Sequence, residues 1–586
     1  MNIDELKILE LLRFNNKITQ RELAIKLHFS LGKVNKLLNV LRQYKFIDGN
    51  LNFTNSAKEY MKSLKPRNAI ILAAGYGFRM IPINSQMNKA FIEVKEEVLV
   101  ERLINQLHSM KIYDITIVVG YMKEQFDYLI DKYNVRLVVN MNYMDTNSLY
   151  SLSLVKQNIG NSYILPCDLY FNKNPFSTDE FYSWYMLSNE YDSNSFFKMN
   201  VSNRLAISNS GGNKMIGLSY ITHNDAKRVV EKIDEVLVED NLNAYYEVAL
   251  KNNNKCLVDF KLIHSTDVME FNTYEDLQAF DYMSSSLQIE IINIIKKTLN
   301  IEMMDILNIK ALKTGMTNRS FLFECRKKKY IMRIPGEGTD LLIKRKEEKH
   351  VYDIIEKYNL SDKVLYFNEN TGYKITEFIE NAHNCDCMNI DEVKKCMIYL
   401  RRFHEYKIKT DHIFDIFEKI EYYEMLRDGR NSIYKDYSLT KENIYKIKKY
   451  IDLYKSDYVL CHIDSVPDNF LLYNINCKEE IRLIDWEYSA MQDPDIDIAM
   501  FAIYAMYDRN EIDMLINLYY NSNCNQERRI KIYCYIACCG LLWSNWCEYK
   551  SSLGIEFGEY SMRQYRYAKD YYRIVNEMLG DELNVL

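Results

Sequence analysis

The polar residues between positions 461 and 487 have the types and spacing that phosphoryl transfer requires. His462, Asp464 and Asn469 fit an H-x-D-x-x-x-x-N pattern, and Asp485 follows an apolar run a little later. In such a loop one aspartate accepts the proton of an attacking hydroxyl, while an asparagine and a second aspartate hold the Mg²⁺ that bridges the nucleotide phosphates. A polar loop between two strands is the alternative. The joint spacing favours a kinase site, with Asp464 as the base and with Asn469 and Asp485 as metal ligands.

A second group of residues, around position 75, indicates nucleotide binding. The apolar run at 68–74 predicts a buried parallel strand. It ends in a glycine-rich turn, where backbone N–H groups can approach phosphates closely. Glycines also mark ordinary turns, so the prediction depends on the whole combination of residues. The predicted nucleotide-binding residues are Ala73, Ala74, Gly75 and Gly77, and the predicted catalytic cations are Arg79 and Lys89.

Residues 67 to about 280 resemble the nucleotide-sugar and phosphocholine nucleotidyltransferases. The L-A-A-G-x-G-x-R signature followed by a lysine carries the resemblance, although Phe78 replaces the usual Ser or Thr and Asn88 replaces the usual Pro. Within that superfamily the segment is most similar to the bacterial CTP:phosphocholine cytidylyltransferases. The matching stretches are 118–126, 147–152 and 211–220.

This resemblance implies a Rossmann-like, GT-A-like α/β domain that transfers a cytidylyl group from CTP to phosphocholine and releases pyrophosphate. It also implies that Asp168, at the end of a predicted strand, coordinates Mg²⁺; a helix or turn cap is the alternative role. The family takes a second ligand from an E-[IF]-[DN]-T stretch, which places Asn272 in that role. An amide oxygen is a weaker ligand than a carboxylate, but Mg²⁺ accepts it.

The residues before the H-x-D loop predict a kinase nucleotide site. A loop at 315–321 lies between two predicted strands and would cover the phosphates, with Thr317 and Asn318 as nucleotide contacts. Arg333 stands on the strand that usually carries a kinase lysine, and Glu348 on the next helix is predicted to pair with it. A surface contact is the alternative for that pair. Residues 374–379 are predicted to form the hinge that binds adenine.

Residues 286–586 resemble the choline kinases, which share a bilobal α+β, protein-kinase-like architecture with the aminoglycoside phosphotransferases. The W-E-Y at 486–488 and the stretches 542–544 and 555–560 carry the resemblance. A quaternary ammonium requires aromatic faces and nearby carboxylates. Core packing is the alternative for these aromatic residues. The family often has a Trp where this chain has Gly540, which predicts a cage open on one side. The predicted cage residues are Trp486, Glu487, Tyr504 and Trp543.

The first 66 residues differ in charge from the rest of the chain. They hold 12 Lys and Arg against 6 Asp and Glu, a net charge of +6, so residues 67–586 carry −12 of the total of −6. Helical periodicity, the caps at Thr19 and Ser30 and a D-G-N turn predict three helices and a hairpin, which resemble a winged helix-turn-helix. The third helix would enter the DNA major groove. A docking or dimerisation module is the alternative. The predicted DNA contacts are Lys33, Asn35 and Lys36 to the groove, with Lys7 among the phosphate contacts.

Length and composition predict a multidomain cytoplasmic protein. A chain of 586 residues is too long for one core, and we expect domains at 1–66, 67–285 and 286–586. The N-terminus does not resemble a signal peptide, and no apolar run reaches the roughly 18 residues that span a bilayer. The lack of such a run predicts no membrane partner. The 13 cysteines show no paired metal spacing, which favours free thiols in a reducing compartment.

Together these patterns predict a bifunctional enzyme that uses ATP to phosphorylate choline and then CTP to make CDP-choline, with Mg²⁺ as cofactor. DNA or a protein would bind residues 1–66. Three alternatives remain open. The alcohol could be ethanolamine or another amino alcohol; the chain could be a DNA-binding regulator whose enzyme-like domains sense ligands; or it could carry an aminoglycoside kinase, against which the W-E-Y argues. The sequence does not predict an oligomeric state.

Overall fold

The computed structural model describes residues 1–14, 18–201, 203–238, 241–253, 255–312, 318–336, 339–475, 478–553 and 557–580. They form two compact units, Met1–Ala311 and Leu312–Leu586. The helix Glu290–Leu299 lies in the first unit. Among the described residues, no helix is both long and apolar enough to cross a membrane.

Four helices form the N-terminal part of the first unit: α1 (Ile3–Phe14), α2 (Gln20–Leu27), α3 (Leu31–Gln43) and α4 (Asn55–Ser63). The predicted caps are present. Thr19 and Glu22 form a capping box at the start of α2, and the Ser30 side chain accepts a hydrogen bond from a backbone N–H at the start of α3. The predicted hairpin is reduced to one antiparallel bridge between Ile47 and Phe53. The sequence analysis did not predict α4.

This N-terminal part packs tightly against the central domain. Leu9 and Leu38 belong to the same apolar core as Ile71 of the central sheet. The Tyr220 hydroxyl donates a 2.7 Å hydrogen bond to the carbonyl oxygen of residue 64. Lys7 is buried, and its Nζ lies 2.8 Å from an oxygen of Asp259. Lys7 is therefore an interface residue, and the prediction that it contacts DNA phosphate is wrong.

A seven-stranded mixed sheet forms the centre of the first unit. Its strands, in chain order, are β1 (Asn68–Ala73), β2 (Asp114–Val119), β3 (Arg136–Val139), β4 (Ser162–Pro166), β5 (Trp184–Asp192), β6 (Gly212–Ile221) and β7 (Asp259–Ile263). Their order across the sheet is β7-β5-β6-β4-β1-β2-β3. The four strands β4, β1, β2 and β3 are parallel, as the sequence predicts. Strand β6 runs antiparallel to both of its neighbours.

Shorter elements surround this sheet. The helices are Leu99–Ser109, Tyr128–Tyr133, Ser148–Ser153, His223–Val238, Tyr274–Phe280 and Glu290–Leu299. The short strands are Glu93–Val94, Glu97–Val98, Leu169–Phe171, Phe197–Met199, Leu205–Ile207, Lys251–Asn252, Lys255–Cys256 and Val268–Glu270. The strand Leu307–Ala311 does not belong to this group and ends the unit.

The sheet brings two of the predicted motifs to one edge. Alternate residues of a strand point to opposite faces, and Ile71 and Leu72 accordingly lie in different apolar cores. Leu72 is paired in parallel with Pro166, so β1 and β4 end side by side. The glycine-rich turn after β1 and Asp168 after β4 therefore meet at the carboxyl edge of the sheet, where α/β proteins place their ligands.

The second unit has the two lobes of a kinase-like fold. In the first lobe an antiparallel sheet carries the helix Arg345–Ile355. Its strands in spatial order are Asn318–Cys325, Lys328–Pro335, Lys374–Glu377 and Val364–Phe367.

The second lobe is mainly helical, with two small antiparallel pairings that position the catalytic loop. Val459–Cys461 pairs with Ala490–Gln492, and Phe470–Ile475 pairs with Lys478–Leu483. These pairings bring the loops 462–469 and 484–489 together. The helices are Ile390–Glu405, Ile416–Met425, Tyr437–Lys446, Lys448–Tyr454, Asp495–Tyr504, Arg509–Tyr520, Gln526–Ser552 and Glu559–Leu579, and a short strand, His383–Asn384, pairs with Phe470–Ile475.

Candidate active sites

A cavity of about 230 Å³ opens at the carboxyl edge of the central sheet. Six of the residues predicted from the sequence line it: Ala74, Gly75, Arg79, Lys89, Asp168 and Asn272. Ala73, the last residue of β1, is buried, and Gly77 lies outside the lining. Gly77 has a φ of +67°, and the Lys89 side chain passes over it at 3.7 Å from the position of a Cβ. Gly77 therefore shapes the turn beneath Lys89.

The two predicted cations of this cavity are held by polar partners. The Lys89 ammonium contacts the Asp168 carboxylate directly. Burial lowers the pKa of Lys89, but the charge of Asp168 outweighs it, so the net shift is upward and the lysine stays charged. Arg79 donates a 2.7 Å hydrogen bond to the side-chain oxygen of Asn272. The cavity thus presents two positive groups, which suits a polyphosphate ligand.

Asn272, which the resemblance predicts as the second metal ligand, makes a different contact in the structure. The Asn272 oxygen, which would be the donor to a metal, accepts the hydrogen bond from Arg79. Glu270, two residues earlier, lines the same cavity as Asp168. Burial and the charge of Asp168 raise the pKa of Glu270, as expected for neighbouring carboxylates. Glu270 is therefore a better candidate than Asn272 for the second metal ligand. It is the first residue of the same E-F-N-T stretch, so the sequence motif indicated the right segment.

The same cavity also carries tyrosines and a buried carboxylate that were not predicted from the sequence. The Tyr185 hydroxyl donates a 3.0 Å hydrogen bond to Glu247 Oε1. Tyr246 lies beside them, with Tyr143 and Tyr245 nearer the rim. Burial raises the pKa of Glu247 to about 7. The signal was the Y-Y-E triplet at 245–247, whose spacing matched no motif.

The two departures from the family signature have structural explanations. Asn88 is buried; its side chain accepts a hydrogen bond from the Ala90 N–H at 3.0 Å and donates one to the Tyr121 carbonyl at 2.8 Å. It thus caps the short helix that carries Lys89. Phe78 is exposed and its ring lies 4.2 Å from that of Tyr76. Neither residue removes a charge from the cavity.

In the second unit, the predicted pair of Arg333 and Glu348 is present and buried. Its two contacts measure 2.5 and 3.0 Å. Arg345 donates to Glu348 at 2.9 Å and to Glu487 at 3.1 Å, and Asn318 donates to Glu487 at 2.8 Å. Arg333 and Asn318 line a cavity of about 550 Å³, which most of the predicted hinge at 374–379 also borders. Thr317, the other predicted contact, lies outside the described residues.

The catalytic-loop residues meet in the same cavity. The Asn469 amide nitrogen donates to Asp464 at both its carbonyl (2.8 Å) and its carboxylate (3.2 Å). Asp485, whose φ is +66°, also lines the cavity. Burial, with the charges of Asp485 and Glu487, raises the pKa of Asp464 to about 8. Burial and the charge of Glu487 also raise the pKa of Asp485. This site therefore concentrates negative charge where a cation would be stabilised.

Asp497 supports the catalytic loop through its carboxylate. Its carboxylate accepts hydrogen bonds from the backbone N–H groups of His462 (2.8 Å) and Ile463 (2.7 Å). His404 lies 2.9 Å from the same carboxylate and is buried. Asp497 and His404 thus have positioning roles.

Aromatic rings line the cavity beyond Asp464. Tyr504 and Trp543 are there as predicted, together with Tyr488, Trp546 and Tyr560, which the sequence analysis missed. The ring of Trp543 lies 5.6 Å from those of both Tyr488 and Trp546, and the ring of Tyr560 lies 5.9 Å from that of Tyr504. This arrangement is typical of a site for an alkylated cation.

Three predictions about this aromatic cage require correction. Trp486 is completely buried, and its ring packs edge-on against Phe403 and His462 outside the cavity. Glu487 is buried and bound to Arg345, so its carboxylate does not line the cage. A Cβ on Gly540 would lie 2.6 Å from the Gln564 carbonyl, so this glycine allows two helices to approach and is not an opening in the wall.

The residues predicted to contact DNA lie on α3. Asn35 and Lys36 are exposed. Lys33 is also exposed, but its Nζ lies 2.8 Å from Asp4 of α1 and 3.7 Å from the centroid of the Phe29 ring. The outer face of α3 therefore offers Asn35 and Lys36 to a partner, whereas Lys33 is already paired.

Comparison with known proteins assigns each part of the chain. Three family models match: winged helix-turn-helix DNA-binding at residues 2–47, MobA-like NTP transferase domain at 69–176, and choline/ethanolamine kinase at 309–537. Protein LicA of Haemophilus influenzae is 26% identical over 43% of this chain and 76% of its own length. The crystal structure of choline kinase LicA from Streptococcus pneumoniae is 28% identical, with a TM-score of 0.43, over 48% of this chain and 98% of that chain.

The central domain has a nearer relative. The choline-phosphate cytidylyltransferase of Streptococcus pneumoniae is 34% identical over 220 residues, which are 36% of this chain and 96% of that protein. The match thus includes nearly the whole of the relative. Through this domain, the chain belongs to the choline-phosphate cytidylyltransferase family.

Proposed function

We propose that the chain makes CDP-choline in two steps. The second unit transfers the γ-phosphoryl group of ATP to choline, and the central domain joins the resulting phosphocholine to CTP with release of pyrophosphate. The observation that carries the proposal is that each unit has its own cavity with a full set of charged groups for its step. The choline-phosphate cytidylyltransferase relative and the match to the choline/ethanolamine kinase family support these two activities. Both steps consume nucleoside triphosphates, which supports a cytoplasmic location.

In the kinase step, Asp464 accepts the proton of the choline hydroxyl. The freed oxygen forms a bond to the γ-phosphorus as the bond to the ADP oxygen breaks. Arg333, held by Glu348, places positive charge at the nucleotide end of the cavity. The rings of Tyr488, Trp543 and Trp546 enclose the ammonium and exclude water from it.

In the cytidylyl step, Lys89 and Arg79 bind the triphosphate of CTP and stabilise charge on the α-phosphate. A phosphate oxygen of phosphocholine attacks the α-phosphorus, and pyrophosphate leaves. No protein nucleophile is required, because the attacking phosphate is already anionic. The buried Glu247 and the tyrosines beside it would receive the choline head group.

The residues present in both cavities fit Mg²⁺. Asp168 Oδ1 is buried and has no hydrogen-bond partner within the described ranges, which is the state expected of a metal donor. Asp168 and Glu270 in one cavity, and Asn469 and Asp485 in the other, would hold the ion; all four offer the hard oxygen atoms that it prefers. Bound there, Mg²⁺ would neutralise phosphate charge.

The direct test is an assay of the purified chain with choline, ATP, CTP and Mg²⁺, in which phosphocholine and CDP-choline are followed by mass spectrometry. We expect both products, with phosphocholine appearing first. Comparison of kcat/KM for choline and ethanolamine identifies the preferred alcohol. Absence of both products from choline would contradict the proposal and favour the other amino alcohols or a ligand-sensing role.

The pKa of Glu247 predicts a pH dependence for phosphocholine binding. Because burial raises this pKa to about 7, the carboxyl is mostly neutral at pH 6 and mostly ionised at pH 8. Only the ionised form attracts the ammonium, so KM for phosphocholine should fall by about threefold or more between those values. Steady-state kinetics across this range measure it. Glu247→Gln should have a raised KM that varies less with pH; an unchanged profile would exclude this role.

We further propose that the N-terminal helices bind DNA, since the match to a DNA-binding family and the exposed Asn35 and Lys36 on α3 both support it. Binding of a duplex should weaken steeply with salt, because phosphate contacts release counterions. Lys36→Ala should lower the affinity and reduce the salt slope by about one. Lys227→Ala, which removes an exposed lysine from the helix His223–Val238 of the central domain, serves as the matched control. Salt-insensitive or undetectable binding would favour a protein partner.

A further inference from the structure

The aromatic end of the kinase cavity contains a carboxylate that the proposed reaction does not use. Asp468 belongs to the catalytic loop, four residues after Asp464, and it lines the cavity with the rings of Tyr504 and Tyr560. Its side chain is exposed, whereas the Glu487 carboxylate is buried away from the cavity. Asp468 therefore faces the space that the alcohol would enter.

Asp468 is held in place from two sides. Its Oδ2 accepts a 2.7 Å hydrogen bond from the Tyr504 hydroxyl. Its backbone carbonyl accepts a 2.5 Å hydrogen bond from the side-chain amide of Asn384, which also lines the cavity. The Tyr504 ring in turn packs edge-on against Tyr560, 5.9 Å away. These contacts fix the carboxylate beside the aromatic cage without neutralising it.

Among the described residues, the charge of Asp468 has no compensating cation. Within the described residues, no lysine, arginine or histidine lies within ion-pair distance of this carboxylate. Arg333, which lines the same cavity, and Arg345 are both bound to Glu348. A negative group in a partly enclosed cavity therefore attracts a cationic ligand.

The aromatic rings at this end attract a cation through their negative faces, but the discrimination that they supply is modest. Aromatic rings also bind neutral alkyl groups through the hydrophobic effect. Asp464 has to accept a proton, and Asp485 is a proposed metal ligand. The remaining carboxylate, Asp468, therefore adds a full negative charge that only a cationic alcohol would use. We propose that Asp468 is a specificity-determining residue that selects an alcohol carrying a positive charge; this inference rests on the proposed choline kinase function.

The test compares choline with 3,3-dimethylbutan-1-ol, a neutral alcohol of the same shape, in the full chain and in Asp468→Asn. The asparagine keeps the size of the side chain and can still accept from Tyr504, so only the charge is lost. We expect KM for choline to rise about tenfold, while kcat and KM for ATP stay within about twofold. KM for the neutral alcohol should not change. Asp386→Asn, an exposed acid outside the cavity lining, should behave as wild type.

Two outcomes would overturn the inference while leaving the kinase function in place. In one, Asp468→Asn keeps the wild-type KM for choline; in the other, it changes KM equally for the charged and neutral alcohols. Failure of the wild-type chain to phosphorylate choline would instead contradict the proposed function. Calorimetric binding of choline and of the neutral alcohol to both proteins then decides the role of Asp468, because binding requires no turnover. Equal affinities of wild type and variant for choline would exclude it.

Discussion

Asp464→Asn is expected to lower kcat for choline phosphorylation by at least about 10²-fold, because an amide cannot accept the hydroxyl proton. The substitution keeps the shape of the side chain, and its oxygen can still accept the hydrogen bond from Asn469. Release of ADP, measured with saturating choline and ATP, gives the rate. The same preparation should convert added phosphocholine and CTP to CDP-choline at the wild-type rate, since that cavity lies in the first unit.

Asp411→Asn is the matched control for this experiment. Asp411 belongs to the same unit, is exposed and lies outside the cavity lining, so both activities should persist. Near-normal phosphorylation by Asp464→Asn would remove Asp464 from the role of base. Loss of both activities in a folded Asp464→Asn protein would contradict the assignment of two separate sites.

Asp168→Asn is expected to have the opposite effect. The asparagine leaves Lys89 without its buried charged partner and removes the proposed metal donor, and such losses of electrostatic stabilisation typically cost about 10²- to 10³-fold in rate. With choline, ATP and CTP supplied together, phosphocholine should accumulate while CDP-choline remains near background. Quantification of both products over time checks the prediction.

Asp131→Asn, an exposed acid on a helix of the same unit, is the control and should make both products normally. If Asp168→Asn still produced CDP-choline at the wild-type rate, the carboxyl edge of the central sheet would not be the site of cytidylyl transfer. Loss of both products would indicate misfolding, which the melting temperature of the variant would reveal.

The site residues that could be predicted from the sequence lie in short motifs, where the chemistry requires particular residue types at a fixed spacing. The glycine-rich turn and Asp168 could be assigned because each follows a strand whose apolar run is evident, and Lys89 could be assigned from its spacing after that turn. The loop from His462 to Asn469 could be assigned because its chemistry requires fixed spacing. The parallel strands β1 to β4 followed for the same reason, since their pattern repeats with intervening helices.

The directions of side chains around a motif could not be predicted in the same way. Trp486 directly follows Asp485, but the positive φ of Asp485 turns the chain, so Trp486 enters the core while Tyr488 reaches the cavity. That backbone conformation is uncommon outside glycine, and the sequence gives no sign of it. The W-E-Y motif therefore indicated the right segment for the cage, but the ring that lines the cavity is that of Tyr488 and not that of Trp486.

Contacts between segments that are distant in the chain could not be predicted from the sequence either. Gly540 allows its helix to pack closely against Gln564. Trp546, one helical turn after Trp543, supplies the aromatic ring on the side of the cage that the sequence predicted to be open. The Asn272 oxygen is used by Arg79, almost 200 residues earlier, which leaves Glu270 as the acid beside Asp168. Each depends on which elements pack together, and a single sequence does not record that.

The charge of the chain changes at residue 66, but the structure does not divide there, because the N-terminal helices and the central domain share one apolar core. Deleting residues 1–66 would uncover apolar surface around Tyr220 and take from Asp259 its buried partner Lys7. Because the two parts share a core, a ligand that binds only the folded helices should also raise the melting temperature of the cytidylyltransferase domain. Thermal protection of one part would then report occupancy of the other.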